Sequence, residues 1–468
     1  MRKATTPAAH AGTNAMDRRT FLKTVGAAAG TLALAPRRSP AIGDDMPDRP
    51  NVLVILVDDL GRGDLSCCGA PDLKTPHLDR LAAEGATFSN FYANCTVCSP
   101  TRASLLTGRF PDLVGVPGVI RGSPKRYANS FGYFAPDAAT LGDLLGKAGY
   151  ATALVGKWHL GLREPNLPNR RGFDHFHGFL GDMMDDYTTH RRRGQNLMRL
   201  DGETIDPRGH ATDLFTDWAC RYIAGRKGRK QPFFLYLAYN APHTPIQPPA
   251  SWLARVRKRD GMGQKRAKLA ALIEHLDDGV GKVLAALETA GLARRTLVVF
   301  TSDNGGQRSV GARNGPFRGG KTDLYEGGLR VPAMVRWPGR VKPGATIERV
   351  ALTMDIMPTA LAAAGASPPA GIEGESFLPA ITGRRQADAG RDLFWVWRQR
   401  GVLHAARRGA WKIVRARPGG KLELYNLAED PKETTDLAAT HPARLAELSA
   451  ALKAHLARAA KVPWRPPR

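Results

Sequence analysis

Cysteine is scarce in this chain, with five residues in 468. The five are Cys67, Cys68, Cys95, Cys98 and Cys220. Their spacing fits no zinc site, and sequence neighbours such as Cys67 and Cys68 rarely bond to each other. The four other than Cys98 allow three disulfide pairings, between which the sequence does not choose. The cysteines therefore give no support to a zinc-binding module.

Acidic residues are also few, since 43 Asp and Glu face 68 Lys and Arg, a formal charge of +25. Basic clusters lie at residues 191–193, 226–230 and 255–268. Such a surface attracts polyanions, although ordinary solvated charge in an arginine-rich protein explains each cluster equally well. The chain lacks zinc-finger spacing and aromatic-rich RNA-binding motifs. Nucleic-acid binding is therefore only a weak alternative, and we expect no nucleic-acid partner.

No apolar run is long enough to cross a bilayer, so we expect no membrane span. Near the start, Arg18 and Arg19 precede Phe-Leu-Lys and a mildly apolar run at 25–35. This order is typical of a twin-arginine export signal, which we assign to residues 1–41; a basic disordered tail is the alternative. Cleavage after residue 35 or 41 stays open. We expect a soluble periplasmic or secreted protein and the twin-arginine machinery as a partner.

Continuous apolar runs predict buried strands at residues 51–57, 150–155, 233–237 and 296–301. An amphipathic helix with three- and four-residue spacing runs from Leu269 to Leu287. Strands that alternate with helices predict an α/β fold with a large, mainly parallel sheet flanked by helices. We assign this catalytic domain to residues 49–384.

The sequence changes character after residue 384, where short alternating runs replace the long apolar ones. These runs lie at 393–397, 402–406, 411–414 and 422–426, and a helix is expected at 442–460. We therefore predict a smaller C-terminal subdomain at 385–468, an antiparallel sheet closed by one helix.

Polar residues follow each of the buried strands. They are Asp58 and Asp59, Lys157 and His159, His243, and Asp303 and Asn304. Ligands bind beyond the carboxyl ends of parallel strands, so these side chains should meet at one edge of the sheet.

Asp58, Asp59, Asp303 and Asn304 form an all-oxygen set that suits calcium or magnesium. Taken alone, Asp-Asp is more often a helix cap and Asp-Asn-Gly a turn. Three carboxylates crowded together repel each other without a cation between them. The matching positions at two strand ends therefore favour a metal site.

The stretch 95–109, CTVCSPTRASLLTGR, predicts a short helix with a Ser99 cap, Pro100 at the first helical position and a Gly108 stop. Cys98 then lies at a helix N-terminus, where unpaired N–H groups favour an anion, and Arg102 is one turn further on. This arrangement suits an oxyanion beside a reactive side chain. The alternative is a capped surface helix with an incidental buried cysteine.

C-S-P-T-R followed by L-L-T-G-R resembles the signature of the type I sulfatases of the alkaline phosphatase superfamily. Gly149 to His159, Asn304-Gly305, and Gly320-Lys321 leading to E-G-G-L-R-V-P resemble further blocks of that family. The resemblance covers most of residues 50–345 and is closest to the arylsulfatase A-like and N-acetylgalactosamine-6-sulfatase-like branch. It implies sulfate monoester hydrolysis by a formylglycine that a maturation enzyme, such as the formylglycine-generating enzyme, makes from Cys98.

The resemblance also implies a role for each site residue. Asp58, Asp59, Asp303 and Asn304 would bind one calcium ion together with the modified Cys98. Arg102 would bind the hydrated aldehyde, and His159 would act on the same group. Lys157, Lys321 and His243 would grip the sulfate and the leaving oxygen. Taken singly, Lys157 and Lys321 are better explained as surface lysines, and His159 and His243 as satisfied core histidines. The occurrence of all four at strand ends favours the site.

Sulfate monoester hydrolysis needs a nucleophile, a countercharge and a proton for the leaving alkoxide. Asp303 would take a proton from one diol hydroxyl, and His243 or Lys321 would protonate the leaving group. His159 would deprotonate the second hydroxyl, so that sulfate leaves without a second attack on sulfur. Two alternatives stay open: a phosphatase or phosphonate monoester hydrolase on this scaffold, and an inactive polyanion-binding protein. Sulfated glycans fit a basic exported enzyme as substrates.

Overall fold

A computed structural model describes residues 49–121, 130–259, 261–384, 390–399 and 401–466. The predicted export signal at 1–41 lies outside the described residues and stays a prediction. In the part of the chain that is described, no helix combines the length and hydropathy needed to cross a bilayer.

One ten-stranded sheet forms the centre of the described chain. Its strands are β1 (Asn51–Val57), β2 (Ala86–Phe88), β4 (Ala151–Lys157), β5 (His175–Phe179), β8 (Met198–Leu200), β9 (Glu203–Thr204), β10 (Phe233–Ala238), β11 (Thr296–Ser302), β12 (Ala333–Arg336) and β13 (Ala345–Ile347). The order across the sheet is β13-β2-β12-β11-β1-β10-β4-β5-β8-β9. Two shorter pairs are β3 (Phe91–Tyr92) with β14 (Ala351–Leu352), and β6 (Arg191–Arg192) with β7 (Gln195–Asn196).

The four predicted strands are neighbours at the centre of this sheet, as β11, β1, β10 and β4, and they run parallel with β5. Every residue of β1, β10 and β11 is buried, which explains their continuous apolar sequence. Towards both edges the pairing turns antiparallel, except that β13 runs parallel to β2. The predicted α/β class is confirmed, with a parallel centre in a mixed sheet.

Helices cover the sheet. They are α1 (Pro76–Glu84), α2 (Cys98–Thr107), α3 (Leu141–Lys147), α4 (Ala211–Ala224), α5 (Ala250–Arg257), α6 (Gln264–Thr289), α7 (Glu326–Leu329), α8 (Ile356–Ala363), α9 (Leu378–Ile381) and α10 (Pro442–Ala459). Short 3-10 turns lie at Arg62–Asp64, Ser66–Cys68, Pro111–Val114, Pro168–Arg170, Ala293–Arg295, Arg308–Val310 and Thr353–Asp355. The predicted amphipathic helix is α6, which begins five residues before Leu269.

The C-terminal residues form the predicted antiparallel sheet and closing helix. Its strands are β15 (Leu393–Arg398), β16 (Val402–Arg408), β17 (Trp411–Arg415) and β18 (Glu423–Asn426), and α10 packs on β16 and β17. The hydrophobic cluster beneath this sheet also contains Tyr92, Cys95 and Leu324. The C-terminal sheet therefore packs against the segments that lead to Cys98 and follow Lys321. The division at residue 384 stays a prediction.

Candidate active site

The candidate site lies where β1, β4, β10 and β11 end. Asp58 and Asp59 follow β1, Lys157 ends β4, and Asp303 follows β11. His243 lies in the loop after β10, and Lys321 arrives from the loop before α7. The structure brings these side chains together as parallel strand order requires.

Helix α2 presents Cys98 to this edge, but it begins differently from the prediction. Its N-cap is Val97, which makes no side-chain capping bond within the described residues. The predicted Ser99 cap is wrong, because Ser99 lies inside the helix and its Oγ accepts from Ile120 N at 3.1 Å. Thr101 instead holds the preceding loop, accepting from Cys95 N at 3.0 Å. The predicted stop is confirmed, since Gly108 has φ 65° and its N–H bonds Ser104 O.

The whole of α2 is buried, which rules out a surface helix. The Cys98 Sγ, one carboxylate oxygen each of Asp58 and Asp59, and a ring nitrogen of His243 all lie within 4.8 Å of one another. Burial raises the pKa of the Cys98 thiol, against the opposing charge of Lys157. An unmodified Cys98 is thus a neutral thiol and a weak nucleophile.

Arg102 reaches across the site to Asp303. Its Nη2 donates to Asp303 Oδ2 at 2.8 Å and its Nη1 to the Lys157 carbonyl at 3.1 Å, and all three side chains are buried. The other Asp303 oxygen accepts from Asp59 N at 3.2 Å. Burial and the nearby Asp58 charge raise the pKa of Asp303 to about 7, against the pull of Arg102. Arg102 therefore fixes the orientation of Asp303, and its contact with a hydrated aldehyde stays a prediction.

Two lysines neutralise the paired aspartates. Lys157 Nζ bonds Asp58, and Lys321 Nζ donates to Asp59 Oδ2 at 2.7 Å. Burial alone would raise the pKa of Asp58, but Lys157, His243 and Arg102 hold that pKa well below its usual value. Burial works against the charged Lys321, yet Asp59 keeps the pKa of Lys321 above its usual value. Lys321 therefore stays charged beside the paired aspartates.

Two buried oxygen atoms in the site have no hydrogen-bond partner among the described residues: Asp58 Oδ1 and Asn304 Oδ1. The Asn304 amide is held by its Nδ2, which donates to Asp59 Oδ1 at 2.8 Å. Unsatisfied buried oxygens are costly, and a hard divalent cation is the group that satisfies them. Asp58, Asp59, Asp303 and Asn304 therefore fit a calcium ion.

His159 and His243 differ in which ring nitrogen is engaged. His159 Nε2 donates to the Ile120 carbonyl at 2.9 Å, which leaves Nδ1 as a buried acceptor with no partner in the described chain. Burial and Lys157 lower the pKa of His159 far enough to keep it neutral. His243 Nδ1 donates to the Thr244 carbonyl at 2.7 Å, and its Nε2 lies 3.6 Å from Asp59 Oδ2. Burial lowers the pKa of His243 as well.

Three of the seven non-glycine residues with positive φ in the described part of the chain lie in or next to this site. Asp59, His159 and Thr322 all have positive φ, at 67°, 61° and 76°. Such conformations cost about 1–3 kcal/mol each and persist where the surroundings enforce them. They direct Asp59 and His159 into the site and shape the turn after Lys321.

Tyr187 is a site residue that the sequence did not identify. Its buried hydroxyl lies 2.9 Å from the carbonyls of both Asn240 and His243 and so braces the loop that carries His243. Tyr187 lies between β5 and β6, in a segment that no periodicity or motif marks. Asp182 and Arg192, whose side chains pair at 2.8 Å, flank Tyr187 in the chain, and the charge of Asp182 acts against the lowering of the His159 pKa by burial.

Comparisons with known proteins agree with this geometry. The family model described as Sulfatase matches residues 50–366, and that of the N-sulphoglucosamine sulphohydrolase C-terminal region matches 320–462. N-acetylgalactosamine-6-sulfatase of Homo sapiens is 36% identical over 369 residues, covering 75% of this chain and 68% of that protein. Human arylsulfatase A is 34% identical over 365 residues, covering 71% and 68%. The crystal structure of Ps i-CgsB with k-i-k-neocarrahexaose superimposes with TM-score 0.81 at 30% identity, covering 89% of this chain and 95% of that one.

Proposed function

This chain belongs to the sulfatase family and is a sulfuric ester hydrolase, and we propose that its site uses one calcium ion and a formylglycine made from Cys98. The observation that carries the proposal is the burial of Cys98 against Asp58, Asp59 and His243. A neutral thiol in that position does not attack a sulfate ester, whereas an aldehyde hydrate suits a shell of acids, bases and cations.

Asp58, Asp59, Asp303 and Asn304 would hold the calcium ion, together with an oxygen on residue 98. The ion would add positive charge beside the sulfate, and the formylglycine would supply a diol with one hydroxyl to attack sulfur and one to expel sulfate. The orphaned oxygens of Asp58 and Asn304 support the ion.

The remaining residues bind the anion and move protons. Lys157 and Lys321, buried or nearly so, bind and neutralise the sulfate ester. Asp303 accepts a proton from the attacking hydroxyl, since Arg102 orients its carboxylate. His159 Nδ1 is the free acceptor that takes the second proton. Lys321 or His243 donates a proton to the leaving oxygen, and the enclosure of Cys98 limits access of water.

A sulfated glycan is the proposed substrate class. The relatives include N-acetylgalactosamine-6-sulfatases, and Ps i-CgsB was solved with an oligosaccharide. The basic clusters of the chain favour an anionic glycan over a small neutral aryl group. The proposal includes a sulfatase maturation enzyme that acts on Cys98. It also includes export by the twin-arginine route to the periplasm or beyond, which Arg18 and Arg19 support.

A matched hydrolysis panel tests this proposal. Purified enzyme is given an aryl sulfate, defined monosulfated sugars and the corresponding phosphate monoesters. We expect the sulfates to be hydrolysed far faster than the phosphates, and chelation to stop turnover until calcium returns. Cys98→Ala should abolish turnover, whereas Cys95→Ala, at a second buried cysteine, should retain it. Preferential phosphate hydrolysis restored by zinc alone would contradict the proposal.

A further inference from the structure

A cavity of about 590 Å³ is lined by residues from the segment that follows Asp59 and from the loop that precedes Lys321. Its walls include Gly63, Cys68, Arg308, Asn314 and Phe317. Its volume is in the range typical of small-molecule sites, about 300–1,000 Å³. Of the described residues that line it, none is a proposed metal ligand or catalytic group, so the reaction chemistry does not account for it.

The cavity is tied to the site by the loop that joins Asn304 to Lys321. Lys321 N donates to the Gly306 carbonyl at 3.1 Å, so the two ends of the loop are bonded to each other. Asn314 fixes the loop from within, because its Oδ1 accepts from Gly306 N at 2.7 Å and its Nδ2 donates to Gly319 O at 3.2 Å. The cavity wall is therefore a braced loop that begins at a proposed metal ligand and ends at a sulfate-binding lysine.

Arg308 lines the cavity and also contacts the residue that precedes Lys321. A Cβ on Gly320, the residue before Lys321, would lie 3.0 Å from Arg308 Cγ, so the arginine stem packs directly on that glycine. Gly63 packs against the same loop, because a Cβ on Gly63 would lie 2.5 Å from Gly315 N. Gly63 is four residues after Asp59. Two chain segments that leave the site thus enclose the cavity.

Arg308 differs from the other two arginines of the cavity in its partners. Arg313 pairs with Asp72 at 3.0 Å. Arg318 donates to Tyr425 Oη at 3.0 Å and to the Glu433 carbonyl at 2.9 Å. Arg308 is exposed and makes no salt bridge within the described residues. Its guanidinium is therefore an uncompensated, forked donor facing an open cavity, which suits a carboxylate or a sulfate.

We propose that this cavity binds the sugar unit adjacent to the one that loses sulfate, and that Arg308 recognises an anionic substituent on that adjacent unit. Phe317 gives the cavity a half-buried ring, which carries the Arg330 guanidinium 4.5 Å from its centroid and so leaves only its other face or its edge for a pyranose. The glycine-rich walls leave backbone groups within reach of hydroxyls. The inference rests on the proposed function, since it presumes a sulfate ester in the adjoining site. It narrows the substrate to an oligosaccharide with at least two anionic groups.

Four sulfate esters test the inference. They are 4-nitrophenyl sulfate, a monosulfated disaccharide whose other unit is neutral, the same disaccharide with a second sulfate on that unit, and the same disaccharide with a uronate there. We expect kcat/KM of the native enzyme to be at least about tenfold higher with either second anion than without it, mainly through KM. The sulfate and carboxylate arms identify which anion the guanidinium recognises.

Arg308→Gln should bring this ratio of kcat/KM values close to one, and Arg308→Glu should reverse it. Arg229→Gln, at an exposed arginine after α4, is the matched control and should keep the native ratio. A thermal unfolding midpoint equal to that of the native enzyme shows that each variant keeps the fold.

Two results would overturn the inference. In the first, the native enzyme hydrolyses 4-nitrophenyl sulfate and all three disaccharides with equal kcat/KM, which leaves the proposed function intact. In the second, Arg308→Gln keeps the native preference for a second anion. An enzyme that hydrolyses none of the four sulfate esters would overturn the proposed function as well.

Discussion

Lys412→Met should destabilise the fold severely, because Lys412 is a buried cation between two buried carboxylates. Lys412 Nζ lies 2.9 Å from Glu326 Oε1 and 2.9 Å from Glu433 Oε1, and all three side chains are inaccessible to solvent. Tyr92 adds a hydrogen bond of 2.6 Å to Glu326 Oε2. Methionine has a similar length but no charge, so the substitution leaves both glutamates buried without their shared counter-ion.

The expected cost is about 3–5 kcal/mol in the free energy of unfolding, the usual result of removing one partner from a buried ion pair. Urea unfolding followed by far-UV circular dichroism measures it. Lys453→Met is the control, because Lys453 is exposed on α10 and its replacement should change stability by no more than about 0.5 kcal/mol.

The same cluster should make stability depend on pH. Burial raises the pKa of Glu433 to about 7 despite Lys412, whereas an unfolded glutamate titrates near pH 4.3. Between these values the folded chain binds one more proton than the unfolded chain, so this contribution to stability is fully present below about pH 4 and is lost as pH rises through 7.

Lys412 lowers the pKa of both glutamates, so its loss raises both values and the deficit of Lys412→Met should grow from pH 5 to pH 8. Glu433→Gln, which cannot titrate, should remove the contribution of this residue to the pH dependence. Equal unfolding midpoints for Lys412→Met and the native protein across this range would refute the reasoning.

Three further predictions concern the site and its maturation. Cys98→Ser should lose turnover and accumulate a sulfated serine detectable by peptide mass spectrometry, because its ester lacks a second hydroxyl; sustained turnover would count against the diol. Calcium at about 100 times its Kd should stabilise chelated enzyme by about 2.7 kcal/mol in thermal unfolding, and Asn304→Ala should reduce that gain; no gain from calcium would exclude the ion. Replacing Arg18 and Arg19 by lysine should strand uncleaved protein in the cytoplasm that already carries the aldehyde, since a maturation enzyme that reads a linear motif would act on Cys98 before the chain folds. An unmodified Cys98 in the stranded protein, with formylglycine in the exported form, would show the opposite order.

The centre of the fold was predictable because its signals are local. A strand buried on both faces must be apolar throughout, so 51–57 and its three counterparts stand out in the sequence. The site followed from the same runs, since strand order brings Asp58 and Asp303 to one edge. The edge strands were not predicted, because segments of two to five residues such as β9 and β12 carry too little periodicity.

The contacts that complete the site depend on distant parts of the chain. Serine is a common helix-capping residue, but in the folded chain the Ser99 hydroxyl accepts a hydrogen bond from Ile120 N instead. His159 finds its carbonyl partner 39 residues away, at that same Ile120. Lys412 meets Glu326 across 86 residues. No short motif encodes such pairs, so they became visible only in the folded structure.

The most direct test of the central claim is peptide mass spectrometry of the segment that contains Cys98, taken from enzyme whose sulfatase turnover has been measured. Preparations with different specific activities should contain formylglycine at residue 98 in proportion to turnover, and the cysteine form should be inactive. A fully active preparation that contains only unmodified Cys98 would contradict the account.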